Sequence, residues 1–166
     1  PLQRALSAAP DQPATAQQRP EQEFFCFVIG SLRLGVPSEN VREVTRLTPL
    51  TPLPRMPGFV LGVCGYRGEV LPVLDLYRFL GKGETRMLPR TRLFVGITGT
   101  FTAAFLADAV IGLRRIPTAE ILPPPVGGDS AAEHLLGVVN PASGEHLSLL
   151  HFAKLLTVAR QRVIAR

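Results

Sequence analysis

Residues 1 to 22, PLQRALSAAPDQPATAQQRPEQ, hold four prolines, many Ala and Gln and no aromatic side chain. Such a segment buries too little apolar surface to offset the entropy of ordering and is expected to be a disordered tail. At Phe24 the hydrophobic pattern switches on abruptly. Short apolar runs, FFCFVIG and LRLGV among them, alternate with Gly or Pro, which is the punctuation of an all-β chain. In the second run Leu32, Leu34 and Val36 alternate with Arg33 and Gly35, a period of two that puts one set on a core face. Further strands are predicted over 41–47, 60–66, 69–74, 91–98, 102–106, 110–116, 135–140 and 145–149. Helical patterns are few: a turn near 57–59, a short helix over 75–80 capped by Asp75, and a C-terminal helix over 151–165.

An internal repeat organises these strands. Residues 25–47 align without a gap on 94–116 at an offset of 69: Phe25 falls on Phe94, Gly30 on Gly99, Val36 on Phe105, Glu39 on Asp108, Val41 on Val110 and Arg46 on Arg115. A second block follows in the same order, with Gly62 on Gly137, Glu69 on Glu145, Val73 on Leu149 and Leu80 on Leu156. The units run from about 24 to 80 and from about 92 to 157, joined by a polar linker, GKGETRMLPR, over 81–90. Each unit carries about five predicted strands, and a short antiparallel sheet hides its edges best by closing into a small barrel. Two similar five-stranded barrels side by side are therefore expected within a single folded domain, 23–166.

Composition narrows the function. Among 166 residues, 46 % are hydrophobic and 19 % charged, enough for a substantial core. The net charge of +5 raises nucleic acid as a partner, but the basic residues lie singly or as the pair Arg114 and Arg115, with no long basic run. The nine phenylalanines fall mostly in apolar strand positions, and Tyr66 and Tyr77 alone carry polar tips, so a stacking face for bases is lacking. No nucleic-acid partner is expected, although small basic β-barrels remain the competing binding class. Cys26 and Cys64 lie in apolar stretches without metal or redox spacing and read as buried thiols of a reducing compartment. No signal-peptide pattern opens the chain and no apolar run approaches about eighteen residues, so no membrane insertion is expected and the location reads as cytoplasmic.

A catalytic constellation is absent from the sequence: there is no GxSxG, no HExxH and no P-loop, since GKGET lacks the upstream glycine and the Ser or Thr after Lys82. The expectation is no enzyme, no cofactor and no metal, with His134 in a polar loop and His146 and His151 as ordinary surface histidines. Gly62, Gly65 and Gly68 are explained by backbone geometry rather than by a nucleotide. The segment TPLTPLPRMP over 48–57 holds two PxxP spacings and reads as a stiff connection between strands.

Together the opening FxFxxG strand, LGVPSENVREV, the Pro-rich loop and GFVLGVCGYRGEVLPVLDLYRFLG resemble the CheW-like family of chemotaxis coupling proteins. Gly62, Tyr66-Arg67-Gly68, Pro72-Val73 and Asp75-Leu76 stand at the places of the family's most specific motif. In the second half, LFVGITGTFTAAFLADAVIGLRRI, LLGVV and LSLLHFAKLL carry the likeness on, over Glu23 to about Thr157. Gly65 departs from the usual Asn of the turn and Ala104 from a common glycine. The resemblance implies a scaffold of two SH3-like barrels coupling chemoreceptors (methyl-accepting chemotaxis proteins) to a CheA-type histidine kinase. One surface would engage the kinase's regulatory domain, a groove between the barrels the cytoplasmic receptor tip, and the protein would be recruited to receptor arrays at the membrane. Carried over residue by residue, the implied contacts are Val41, Glu43, Gly62, Arg67 and Gly68, led by Arg67; an adaptor that binds receptor without kinase is the nearest alternative.

Overall fold

The computed structural model describes residues 19–99, 101–127, 130–140 and 146–165. The chain forms β1 (Glu21–Ile29), β2 (Leu32–Pro37), β3 (Val41–Arg46), β4 (Val60–Tyr66), β5 (Glu69–Leu74), a one-turn helix α1 (Leu76–Phe79), β6 (Arg92–Thr98), β7 (Phe101–Ala107), β8 (Ala109–Pro117), β9 (Leu135–Val139), β10 (Leu147–Leu150) and the helix α2 (Phe152–Ile164). Strand β1 starts two residues before the expected domain boundary. Glu21 and Gln22, which composition assigns to the tail, pair with Pro117 and Ile116, because β8 is long enough to offer them a ladder. Residues 1–18 of the expected tail lie outside the described residues.

Two five-stranded sheets result, ordered β8-β1-β2-β10-β9 and β3-β6-β7-β5-β4. The expectation of two barrels holds, but the barrels do not coincide with the sequence halves. The first takes β1 and β2 from one repeat unit and β8, β9 and β10 from the other; the second takes β3, β4 and β5 with β6 and β7. The exchange is reciprocal and keeps register. Phe25 lies opposite Val36 and Phe94 opposite Phe105, while Leu149 lies opposite Gly35 and Val73 opposite Ala104, all repeat-matched pairs. Both antiparallel pairings between halves, β1 with β8 and β3 with β6, carry a bulge at matched places. The physical reason is connectivity: after β2 the short turn over Ser38–Asn40 directs β3 onto β6, where its unpaired backbone groups find a partner.

The exchange also builds the core. In β1, Phe25 and Phe27 face the second sheet, with rings 5.2 Å and 4.8 Å from that of Phe94, whose ring stacks on Phe105 at 5.1 Å. Phe24 and Cys26 point the other way, into a smaller cluster with Ile116, Leu147 and Leu149 inside the first barrel. A strand buried on both faces accounts for the near-continuous run FFCFVI. Helix α2 closes the main core with Phe152, Leu155, Leu156 and Ala159, one face of a 3.6-residue period. Burying one such large side chain contributes roughly 1.5–3 kcal/mol.

Polar groups fix the ends. Asp75, almost fully buried, caps α1 by accepting from the amides of Tyr77 and Arg78 at 3.0 and 3.3 Å, and holds the linker through the amide and hydroxyl of Thr85 at 3.0 and 2.7 Å. His151 caps α2, and its own amide donates to the carbonyl of His134 at 2.8 Å. His134 is not a surface histidine: it is 2 % exposed, its ring lies 5.0 Å from that of Phe79, and its Nδ1 has no hydrogen-bond partner. The short 3-10 turn Ser130–His134 tucks the imidazole under α2, which a reading of local polarity cannot foresee.

Candidate functional site

Strands β4 and β5 are joined by two residues, Arg67 and Gly68, with φ of +48° and +80°. Positive φ at both central residues defines a type I′ hairpin turn, whose twist matches the flanking strands. A Cβ on Gly68 would meet nothing within 4 Å, so conformation rather than space asks for glycine there. Turn chemistry alone would put Asn or Gly at Arg67 as well, since a bulky side chain at positive φ is unfavourable. The arginine is accounted for by what its side chain does.

That side chain reaches across the barrel's open seam. Strands β3 and β4 are the two edges of the second sheet, with no ladder between them. Arg67 Nη2 donates to Glu43 Oε2 on β3 at 2.8 Å, and its guanidinium lies 5.5 Å from the centre of the Tyr66 ring. The Tyr66 hydroxyl is enclosed and makes no well-formed hydrogen bond, yet it faces Glu43 at close range. It is the leading cause that holds the Glu43 carboxyl below its ordinary pKa, with the guanidinium groups of Arg67 and Arg42 acting in the same sense. Burial and the neighbouring carboxylate push the Tyr66 hydroxyl up, and Glu43 raises Arg67 further. The ion pair is therefore fully charged near neutral pH. With side chains 70 % and 31 % exposed it adds little to stability, and it holds the guanidinium outward, toward solvent.

Of the residues implied by resemblance, Glu43, Arg67 and Gly68 come together here. Val41 opens β3 at the bulge before Glu43 and packs its side chain on the main core. Gly62 is apart from them: it is buried, its φ is +146°, and a Cβ there would stand 2.4 Å from the carbonyl oxygen of Thr51. Its place is set by the Pro-rich connection, which bonds β4 through Thr51 and Val63 in both directions at 2.9 Å. The match of Gly137, where a Cβ would meet the Leu122 carbonyl at 2.5 Å, carries the same constraint in the other barrel. Tyr66 is the residue that sequence reasoning left out of the site, although its place beside Arg67 in the turn motif was a signal. Asp108 serves the fold, accepting from the Gly30 amide at 2.7 Å.

Apolar surface flanks the seam. Val70 on β5 is 71 % exposed and Val44 on β3 is 40 % exposed. A hollow of about 290 Å³ lies between the first sheet, at Leu32, Leu34 and Leu135, and Leu80 at the end of α1. Among the described residues no group of three or more His, Cys, Asp or Glu could hold a metal ion.

Two interlocked small barrels with a charged hairpin tip and an apolar hollow describe a docking module of the scaffold class. The chain belongs to the CheW-like domain family, whose model matches residues 23–160. It is 69 % identical to the protein FrzA of Myxococcus xanthus over 160 residues, covering 95 % of this chain and 99 % of that protein. The chemotaxis protein CheW of Rhizobium meliloti is 33 % identical over 104 residues, 63 % of this chain and 67 % of that protein. The crystal structure of the scaffolding protein TtCheW from Thermoanaerobacter tengcongensis superposes with a TM-score of 0.73 at 22 % identity, over 82 % of this chain and 88 % of that one, and shares the fold. The chain is accordingly a CheW-like scaffold of chemosensory signalling.

Proposed function

We propose that this scaffold couples the cytoplasmic tip of a chemoreceptor to the regulatory domain of a CheA-type histidine kinase, and that the Glu43–Tyr66–Arg67 seam is one of its contact faces. The observation that carries this reading is Arg67 itself. It occupies an unfavourable backbone region, is mostly exposed, and is aimed by Glu43 and Tyr66 without closing any buried interaction. A hydrophobic hollow between small barrels suits an amphipathic helical hairpin, and the hollow walled by Leu32, Leu34, Leu80 and Leu135 is assigned to the receptor. The output is geometric: the scaffold holds two proteins at a fixed separation and transforms neither. Among the described residues no helix is long and apolar enough to cross a membrane, so placement at receptor arrays rests on binding.

The test is titration of the full chain with a receptor-tip fragment and with a kinase regulatory domain, comparing the parent with Arg67→Asn. Asparagine keeps the type I′ turn. The melting curve is expected to stay in place while affinity for one partner falls by roughly thirtyfold, the loss typical of an interfacial arginine. Unchanged affinity for both partners would remove this face from the proposal; binding of the receptor fragment alone would identify an adaptor without kinase.

A further inference from the structure

Helix α2 packs less tightly in its C-terminal half than in its first turns. Along its 3.6-residue period the core face runs through Phe152, Leu155, Leu156 and Ala159 to the half-buried Val163. Ala159 is the one small side chain of that row. Beside it a hollow of about 130 Å³ lies between α2 and the Pro-rich connection, walled by Leu53 and Met56 of the connection and by Val60, Pro72 and Leu74 of β4 and β5. Every side chain that lines it is apolar except that of Arg160. It shares no lining residue with the hollow at Leu32 and Leu80, and none of the Glu43–Tyr66–Arg67 seam residues borders it.

The charge beside this apolar surface has one sign. Arg160 is exposed on α2, and Arg55 stands between Leu53 and Met56 on the connection. Neither has an ion-pair partner among the described residues, and no Asp or Glu lines the hollow. Helix α2 carries Lys154, Arg160 and Arg162 and no acidic residue, and Arg162 is engaged elsewhere, 4.7 Å from the centre of the Phe79 ring. Arg55 adds a backbone signal. Its φ is +57°, and among the described residues it is, with Arg67, one of two non-glycine residues at positive φ. Glycine would hold that corner without strain, yet the chain places a cation there. Backbone groups around the hollow are already used: Thr51 and Val63 bond in both directions at 2.9 Å, the Val60 amide donates to the Pro57 carbonyl at 2.9 Å, and the Asp75 amide to the Phe59 carbonyl at 2.8 Å. A partner seated here gains no ladder and must satisfy its own backbone, which an α-helix does.

We propose that the hollow between α2 and the Pro-rich connection is a third docking face, which takes an amphipathic helix of a further protein partner through one large aliphatic side chain, with a carboxylate one turn away on Arg160. Arg55 adds to the attraction from the opposite bank. Residues four apart on a helix stand about 5–6 Å from each other on one face, so an aliphatic side chain in the hollow brings the carboxylate to its rim. The volume suits a single side chain, whereas pockets for small-molecule ligands run to roughly 300–1,000 Å³. Leu53, 40 % exposed, and Ile164, 69 % exposed one turn beyond Arg160, extend the apolar contact on both banks. The inference goes beyond the coupling of receptor and kinase and needs neither of them. A receptor tip is itself helical, and its seat on this face is an outcome of the test.

The experiment is an amide-resolved titration of the full ¹⁵N-labelled chain with a stapled helical peptide carrying leucine and, four residues on, glutamate, in a background of alanine and glutamine. Two counterparts replace the glutamate by glutamine and the leucine by serine. The first peptide is expected to move the amides of 53–60 and 159–163 and to bind about tenfold more tightly than its glutamine counterpart, with the difference shrinking at high salt. The serine counterpart is expected to lose most of the binding. Arg160→Ala is expected to erase the preference for glutamate. Arg55→Gly is expected to reduce it by a smaller factor while the melting temperature holds or rises, since glycine relieves the positive φ. Ala159→Leu fills the hollow and is expected to lose both leucine peptides; should it fail to melt cooperatively, Leu53→Ser on the exposed bank is expected to weaken the same two. Equal binding of the glutamate and glutamine peptides, shifts confined to other residues, or an unchanged preference in Arg160→Ala would overturn the proposal. The receptor-tip fragment and the kinase regulatory domain are then added to the peptide complex. Both are expected to bind with the peptide in place, and displacement of the peptide by either would overturn the assignment to a further partner and give the face to that protein. If the two bind the parent while the peptide result fails, this face alone is wrong; if they bind nothing while the peptide result holds, the coupling function is wrong and this face stands.

Discussion

Arg67 and Glu43, 24 positions apart in sequence, meet at 2.8 Å across the gap between the two free edges of the second sheet. The pair does for side chains what a ladder does for backbone, but in solvent, where such contacts hold orientation more than free energy. Its consequences are therefore expected in binding rather than in melting.

Glu43→Gln removes the charge that aims Arg67 and leaves the shape of β3 intact. The melting temperature is expected to move by no more than about 2 °C, while affinity for the partner that uses this face drops by roughly tenfold. Tyr66→Phe takes away the leading cause of the low Glu43 pKa. An NMR titration of the Glu43 carboxyl should accordingly show its pKa rising toward the ordinary carboxylate value of about 4.3. A carboxyl that titrates identically in both proteins would break the link between Tyr66 and Glu43.

Gly62→Ala separates structure from contact. The new methyl group would stand 2.4 Å from the Thr51 carbonyl oxygen at a φ of +146°, where an L side chain is strained whatever the space. A loss of about 2–4 kcal/mol is expected, read as a fall of several degrees or more in melting temperature. Any binding defect should follow the unfolded fraction and vanish when titrations are run well below the melting point. A stable variant that still fails to bind would instead return Gly62 to the contact face.

Much of this architecture was legible in the sequence, and the limits are instructive. The offset that lays Phe25 on Phe94 and Val36 on Phe105 shows which residues are equivalent, but equivalence says nothing about which strands pair. Exchange between halves depends on where the turn at Ser38–Asn40 sends β3, a matter of three-dimensional reach. The turn arginine could be picked out because Arg-Gly ends a strand at a hairpin. That Glu43 pairs with it could not, although the resemblance implies both residues, because β3 and β4 are opposite edges of a sheet whose closure is invisible in one dimension. His134 was misjudged because it closes the loop GGDSAAEH and was read with it as polar, whereas in space its ring packs against Phe79.

His134 makes a prediction about pH. Burial holds its pKa below the ordinary value of 6.5, Arg162 and Lys154 add to that, and Glu133, 3.3 Å from Nε2, opposes it. In the unfolded chain the imidazole takes up a proton near pH 6.5, whereas the folded protein resists until the pH is lower. Between those points the unfolded state binds more protons, so stability present above about pH 6.5 is lost as the pH falls toward the folded pKa. The melting temperature of the parent is expected to fall between pH 7.5 and pH 5, and that of His134→Gln to fall less. Parallel curves for the two proteins would show that His134 carries none of the dependence.

The reciprocal exchange predicts how the chain behaves when cut in the linker. Residues 1–90 contain β1 to β5 and residues 91–166 contain β6 to β10, so each half has a full set of strands and yet only part of each barrel. Alone, the first half would leave β1 without β8 and β2 without β10, and it would expose Phe25 and Phe27 where Phe94 should cover them. The second half would expose Phe94 and Phe105 and leave β6 without β3 and β7 without β5. Rearranging each set into its own barrel would require β3 to fold back onto β1, and the short turn at Ser38–Asn40 that now directs it to β6 resists that. Neither half is expected to melt cooperatively when expressed alone, whereas the two together should associate and recover a cooperative transition. Calorimetry and size-exclusion chromatography of the separate and mixed halves provide the measurement. A cooperative transition in either isolated half, close to that of the whole chain, would mean that the strands can pair within one repeat and that the exchange is not what holds the fold together.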